Sequence, residues 1–264
     1  MSKKAGNDSI QKTLIITVVL SLVCSVLVSA AAVILKPKQD ENIVLDVQRN
    51  ILNISGLTKD AKALSNAEVA EMYKQIQPRL VNVETGKFVK ASAEDVAAYD
   101  QRAASKLPKE SKTLTGAEDI ASIRRMANVA KVYVVEKNGK LDTMILPVHG
   151  YGLWSTMYGF MALEADLNTI KGFGFYSQAE TPGLGGEVDN PLWKAKWPGK
   201  KIYDTKGVVE AGLVKGGADP KSKYKVDGLS GATLTSNGVT NLIKFWMGNN
   251  GFKPFLNNLK AGDA

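Results

Sequence analysis

The chain has 264 residues, 44% of them hydrophobic, with a formal net charge of +8, one His and one Cys. That length and apolar content suit one sizeable domain or two small ones. The lone Cys24 cannot form an internal disulfide, and with the lone His149 it argues against a zinc, haem or iron–sulfur site built from this chain alone.

The lysines are scattered, as in KSKYK, with no arginine-rich stripe. The charge therefore reads as a solvated basic surface, not a nucleic-acid footprint. A Ser-His-Asp or Cys-His hydrolase would have to use His149, which lies in LPVHGYG, a loop-like context with no nucleophile elbow.

In chain order, the first element is residues 13–35, TLIITVVLSLVCSVLVSAAAVIL, which carry no charge. At about 1.5 Å per residue, such a helix crosses a hydrocarbon core of about 30 Å. The stretch predicts a retained membrane anchor. The competing reading is a cleaved signal peptide: VSAAA resembles a cleavage site, but the uncharged run is too long for a usual signal core. Lys3, Lys4 and Lys12 precede the span against Asp8, whereas Lys36 and Lys38 are followed closely by Asp40 and Glu41. The positive-inside rule then predicts a cytoplasmic segment 1–12, and a single span puts everything after Leu35 outside. No second run comes close to spanning length.

Past the anchor, ENIVLDVQRNILNISG predicts a helix with Val44, Val47, Ile51 and Leu52 along one face and a stop at Gly56. SNAEVAEMYKQI starts with Ser65 and Glu68 at capping-box spacing, and SAEDVAAYDQRAASKL does similarly with Ser92 and Asp95. Between them, RLVNVETGKFV predicts a strand or hairpin. Residues 36–128 are thus expected to be a mainly helical part, and 108–128 carries no clear pattern.

From Val129 the pattern changes. VAKVYVVEKNGKLDTMILPV has β-branched and aromatic residues on both sides of Asn138-Gly139, a tight-turn signal because both central residues need positive φ. STMYGFMALEADLNTIKGFGFYSQ predicts a second pair turning near Asp166 to Asn168, and KIYDTKGVVEAGLVKG predicts further strands. Helices first and hairpins later define an α+β class, with an antiparallel or mixed sheet and flanking helices.

Two glycine-rich segments stand out. AETPGLGGEVDNPLW, residues 179–193, would let backbone approach a ligand closely, or it is an ordinary surface loop. It is not a dinucleotide fingerprint: Gly183-Leu184-Gly185 lacks the third glycine, no helix clearly follows, and no Walker A lysine comes after it. The second is KVDGLSGATLTSNGVTNLIKFWMG, residues 225–248. Val239, Leu242, Ile243, Trp246 and Met247 follow helical spacing and predict a helix starting near Ser236. SGATLTSNG then sits at its N-terminus, where unpaired N–H groups and the positive dipole end favour an anion. Gly231 permits close approach, and Ser230, Thr233, Thr235 and Ser236 offer hydroxyls. The segment is either a phosphate site or a cap supplied by Thr235, Ser236 or Asn237.

DGLSGATLT, residues 227–235, resembles the flavinylation motif of bacterial FMN-binding domains, and ETPGLGGEV, residues 180–188, resembles their companion loop. The longer run HGYGLWSTMYGFMALEADLNTIKGFGFYSQAETPGLGGEVDNPLWKAKWPGKK is similar to the C-subunit family of Na⁺-translocating NADH:quinone oxidoreductases. The anchor and the helical region fit that family, so the resemblance spans nearly the whole chain and implies that 129–264 is the FMN-binding domain. The G-subunit of the Rnf electron-transport complex shares the anchor and flavin motif and is the alternative, but GLWSTMYGFMALE points to the quinone reductase. An alternative from another class is a membrane-anchored assembly or binding module without cofactor.

In the family the modified residue is the threonine that closes Ser-Gly-Ala-Thr, which is Thr233 here, joined covalently to FMN through its phosphate. Thr235 offers the same chemistry two residues on, and Asp227, Ser230, Gly231 and Ala232 match the motif. By resemblance, Glu180, Thr181, Gly183, Leu184 and Gly185 complete the cofactor-binding set. Leu184 could pack on a ring face, and Trp154, Tyr158, Tyr176 and Trp193 are aromatic candidates, each with a place in the core as the alternative. No catalytic residue and no metal ligand is expected. A threonine hydroxyl is a poor nucleophile without activation, so the resemblance implies a separate flavin transferase that uses FAD as donor outside the cytoplasmic membrane. It further implies an electron-relay subunit of a respiratory complex in the bacterial inner membrane, with its C-terminal domain periplasmic. Partner subunits would oxidise NADH, reduce ubiquinone and export Na⁺, since one span without an acidic residue is a poor Na⁺ path.

Overall fold

The computed structural model describes residues 9–264 and divides into two compact units, with the boundary between Asp46 and Val47. The first helix, α1 (Ile10–Ile54), runs through both. The anchor and the helix expected after it are therefore one element. Pro37 lies inside α1, and the Lys36–Asp40 ion pair at i,i+4 spacing bridges it. α1 is long and apolar enough to cross a membrane by length and composition, and the apolar residues of its 13–35 stretch are exposed. Its last turns bury Ile51, Leu52 and Ile54 before the stop at Gly56, which has φ +71°.

The capping boxes form as expected. Ser65 and Glu68 start α2 (Asn66–Tyr73). The chain then turns through β1 (Ile76–Asn82) and β2 (Lys87–Phe88), an antiparallel pair where a strand or hairpin is expected. Ser92 and Asp95 start α3 (Ala93–Ala98), but the helix expected to continue from there breaks at Tyr99. Asp100 caps a new one, α4 (Gln101–Ala104), by accepting from the N–H groups of Arg102 and Ala103. The segment without pattern forms β3 (Ser111–Thr113) and β4 (Arg125–Ala127), another antiparallel pair.

β5 (Val129–Lys137) and β6 (Lys140–Tyr151) meet at Asn138-Gly139, with φ values of 53° and 70°. β7 (Thr156–Glu164) and β8 (Ile170–Ser177) turn at the expected place, with Asp166 accepting from the N–H groups of Asn168 and Thr169. A 3₁₀ turn over Gly185–Asp189 and the short α5 (Pro191–Lys194) form within the first glycine-rich segment and at its end, where the sequence shows no clear helix. Of the further strands expected in 201–216, only β9 (Gly212–Val214) forms. Tyr203 and Val209 make an isolated bridge, because the Tyr203 hydroxyl is drawn to the Met247 carbonyl and Asp204 closes a turn on Lys206 and Val208. β10 (Lys225–Asp227) pairs with β9 in parallel, and α6 (Thr233–Trp246) and α7 (Lys253–Ala261) complete the body.

The main sheet has the order β2-β1-β5-β6-β7-β8 and is antiparallel throughout, so with the parallel β9–β10 pair the class is α+β. Strand β1 brings part of the 36–128 region into the sheet. α6 lies against β6, and Leu242, Ile243 and Trp246 share one core with Leu146, Val148 and Met157. Two glycines allow that approach: a Cβ on Gly238 would stand 2.4 Å from the Tyr151 carbonyl oxygen, and one on Gly150 would stand 2.8 Å from Leu242 Cβ. His149 is in β6, not in a loop. Its carbonyl accepts from the Trp246 indole at 2.6 Å, and its ring stacks on Tyr158.

Candidate functional site

Helix α6 begins at Thr233, three residues before the expected start, and Ala232 takes the N-cap position with no side-chain cap. Neither Thr235, Ser236 nor Asn237 caps it. The two buried hydroxyls are used elsewhere: Thr235 Oγ1 donates to Glu180 Oε2 at 2.6 Å, and Ser236 Oγ accepts from the Leu229 N–H at 2.9 Å. Thr235 is 1% exposed, whereas Thr233 is exposed. Thr233 therefore presents its hydroxyl at the first helical position, beside N–H groups that no earlier turn can accept from. Gly231, with φ +70°, turns the chain into this start.

Thr233 opens onto a cleft of about 580 Å³ that is also lined by Lys196, Lys215, Asp227, Ser230 and Ser236. Two ammonium groups, those of Lys196 and Lys215, line the cleft. Asp227 does not reach into it as a free carboxylate. It pairs with Lys196 and accepts from the Ala218 N–H at 2.6 Å, and Lys196 above all holds its carboxyl below the usual range.

The companion loop closes on the same helix start through Glu180, which is buried and charged. Its carboxylate accepts from the N–H groups of Leu153 at 3.0 Å, Trp154 at 2.9 Å and Ser155 at 3.1 Å, as well as from Thr235. Burial opposes ionisation, but the Thr235 hydroxyl and the three backbone donors outweigh it and hold the Glu180 carboxyl below its ordinary value. Glycines make room for the cluster: a Cβ on Gly185 would stand 2.5 Å from Thr235 Oγ1, and one on Gly152 would stand 2.6 Å from Glu180 Oε1. The Thr181 carbonyl accepts from the N–H groups of Leu184 and Gly186, and Gly183 supplies the φ of +75° that the turn needs. Leu184 sits over Gly231, where a Cβ would be 2.9 Å from its Cδ2.

The structure thus brings Glu180, Thr181, Gly183, Leu184 and Gly185 together with Gly231, Ala232, Thr233 and Thr235. Of the aromatic candidates, Trp154 is 66% exposed beside this cluster. Trp193 is core: its indole donates to the Asp227 carbonyl at 3.1 Å, and its ring meets Trp197. Tyr158 and Tyr176 belong to a separate cluster with Arg102 and His149. Lys196, Lys215 and, apart from Trp154, the 152–155 loop were not singled out by the sequence. Gly216-Gly217 next to Lys215 and the Gly152 that precedes Leu153 are the local signals that mark them.

The residues present fit a phosphorylated, partly aromatic cofactor. They offer a hydroxyl at a helix start, cations for a phosphate, and the exposed apolar side chains of Leu184, Leu234 and Trp154 nearby. Residues 152–248 match the family model described as the FMN-binding domain. Fold and site together define the class: a flavin-binding domain carried behind one long apolar helix. The chain is 52% identical to the C-subunit of the Na(+)-translocating NADH-quinone reductase of Pseudomonas aeruginosa, over 98% of this chain and 100% of the relative. It is 49% identical to the protein of the same name from Vibrio anguillarum, over 98% of each. Its structure matches the crystal structure of Shewanella oneidensis NqrC with a TM-score of 0.75 and 39% identity, covering 82% of this chain and 97% of the other. It matches the C-subunit of the same reductase from Parabacteroides distasonis with a TM-score of 0.63 and 29% identity, covering 84% and 96%. The chain belongs to the C-subunit family of Na⁺-translocating NADH-quinone reductases.

Proposed function

We propose that this chain is the electron-relay subunit of a membrane complex that oxidises NADH, reduces ubiquinone and exports Na⁺, and that FMN is joined through its phosphate to Thr233. The observation that carries the attachment is the contrast between the two threonines. Thr233 is exposed on the cleft, and Thr235 is buried with its hydroxyl held by Glu180.

When bound, FMN supplies reversible electron transfer. The residues of the chain hold and orient it. The first turn of α6 and Lys215 stabilise the one negative charge that a phosphodiester keeps, and Lys196 does the same while paired with Asp227. Gly231 lets the backbone come close. Leu184, covering Gly231, and Trp154, on the loop tied to Glu180, provide apolar surface for a ring.

The carboxylates of the site are consumed, Asp227 by Lys196 and Ala218 and Glu180 by the 153–155 loop and Thr235, so neither is placed to take the Thr233 proton. Activation by a separate flavin transferase with FAD as donor belongs to this reading. So does the topology: α1 anchors the chain in the bacterial inner membrane, with 1–12 cytoplasmic and the body periplasmic. Residues 129–264 form the flavin module, and 36–128 contribute β1 and β2 to its sheet.

The test is a denaturing gel of the chain made in its native host. Wild type and Thr235→Ala show a flavin-fluorescent band with the added mass of FMN, and Thr233→Ala shows neither. A fluorescent Thr233→Ala band overturns the attachment.

A further inference from the structure

A second cleft, of about 750 Å³, shares no lining residue with the flavin cleft. The loop 116–125 forms one wall, and β6 and β7 form another through His149, Tyr151, Thr156 and Tyr158. Three guanidinium groups border it. Arg124 and Arg125 line it, and Arg102 lies 3.6 Å over the Tyr158 ring, in an adjoining hollow that shares Ser105, His149 and Tyr158.

These charges are held but not neutralised. Arg125 is fixed by neutral partners, the Ser111 hydroxyl and carbonyl and the Thr113 hydroxyl. Arg102 and Arg124 are exposed, and among the described residues neither is ion-paired. The lining has one carboxylate, Asp119, and it faces its own loop, accepting from the N–H groups of Ile123 at 2.8 Å and Arg124 at 2.7 Å. Asp100 is likewise spent on the start of α4.

The loop holds a costly shape to display these groups. Ser122 and Arg124 have φ values of 54° and 63°, a region that non-glycine residues seldom enter and that persists where the surroundings over-determine it. Asp119 and the Leu114 N–H bonded to the Arg124 carbonyl are those surroundings. The floor is aromatic, with His149 and Tyr158 stacked at 5.3 Å. Arginine and tyrosine around a depression is the composition that carries binding energy at protein interfaces.

We propose that this cleft docks an acidic polypeptide segment of a partner subunit, with carboxylates paired to Arg102 and Arg124 above the Tyr158 ring. The proposal rests on the subunit reading above, since that reading supplies the partners; charge complementarity selects the acidic one. Docking here also touches the flavin module. Tyr151 is a wall of the cleft, its hydroxyl donates to the Trp154 carbonyl at 3.3 Å, and the 153–155 loop it leads into is held by Glu180.

The test uses the full chain in its membrane complex. Arg102→Glu/Arg124→Glu lowers co-purification of this chain with the other subunits by about tenfold or more, while its covalent flavin fluorescence stays at the wild-type level. Arg102→Gln/Arg124→Gln gives a smaller loss, and its gap to wild type narrows between about 0.15 M and about 1 M salt as screening weakens the wild-type ion pairs. Cross-linking from a Ser122→Cys variant captures a peptide rich in Asp and Glu. Wild-type co-purification of the charge-reversed chain across that salt range overturns the proposal. Capture of a basic or apolar peptide, or of inorganic phosphate alone with subunit retention unchanged, does so too. A wild-type chain that co-purifies with subunits yet lacks flavin sinks the attachment and leaves the docking site standing. A wild-type chain with no co-purifying partner overturns both.

Discussion

Glu180 is 4% exposed and still ionised, because donors from two distant places in the chain, the 153–155 loop and Thr235, converge on it. Glu180→Gln keeps the shape but turns an N–H₂ toward those donors. Leaving buried donors unsatisfied predicts a loss of about 2–4 kcal/mol, read as a lower urea midpoint and, under the proposed attachment, as less flavin on Thr233. Two of the residues that shape the acid limb of stability are His149 and Glu180. His149 is pushed down to about 4, first by burial and then by Arg102. Above its ordinary value of 6.5 it is neutral folded and unfolded; between 6.5 and about 4 only the unfolded state takes up the proton, so stability falls as pH drops. Glu180 is depressed as well, so its contribution is present above 4.5 and is lost only as pH falls further, through its folded value. Urea midpoints measured from about pH 8 to about pH 5 should decline in wild type and stay nearly flat in His149→Gln.

At the scale of elements, the contact between α6 and β6 decides where the site stands. Gly238 is the pivot, since any Cβ there meets the Tyr151 carbonyl oxygen at 2.4 Å. Gly238→Ala is expected to cost about 1–3 kcal/mol by forcing the helix off the strand, and to reduce the proposed flavin attachment along with it. A urea midpoint unchanged from wild type would show that the helix can shift without loss. Elements made by neighbours in sequence were legible: both capping boxes, the Asn138-Gly139 turn and the turn at Asp166 use partners a few residues apart. The start of α6 was not. Its serine and threonines look like caps, but Glu180, 55 residues away from Thr235, and Leu229 compete for their hydroxyls.

For the whole molecule, residues from Val47 on form a compact unit of their own. A chain starting at Lys38 is expected to be soluble and to melt within about 2 °C of the full chain in detergent. A broad, low-temperature transition would show that the body depends on the apolar part of α1. The family assignment is legible in the linear chain because its motifs are short and local: an uncharged run, DGLSGATLT and ETPGLGGEV. The same sequence also determined the α+β class through hairpin and capping signals, each written within one turn of chain. What only the tertiary structure decided is which threonine is free, what Glu180 binds, that β1 enters the sheet, and that Arg102 and Arg124 border one cleft. Each of those depends on groups far apart in sequence competing for one partner or one space, and no local pattern records the outcome of that competition.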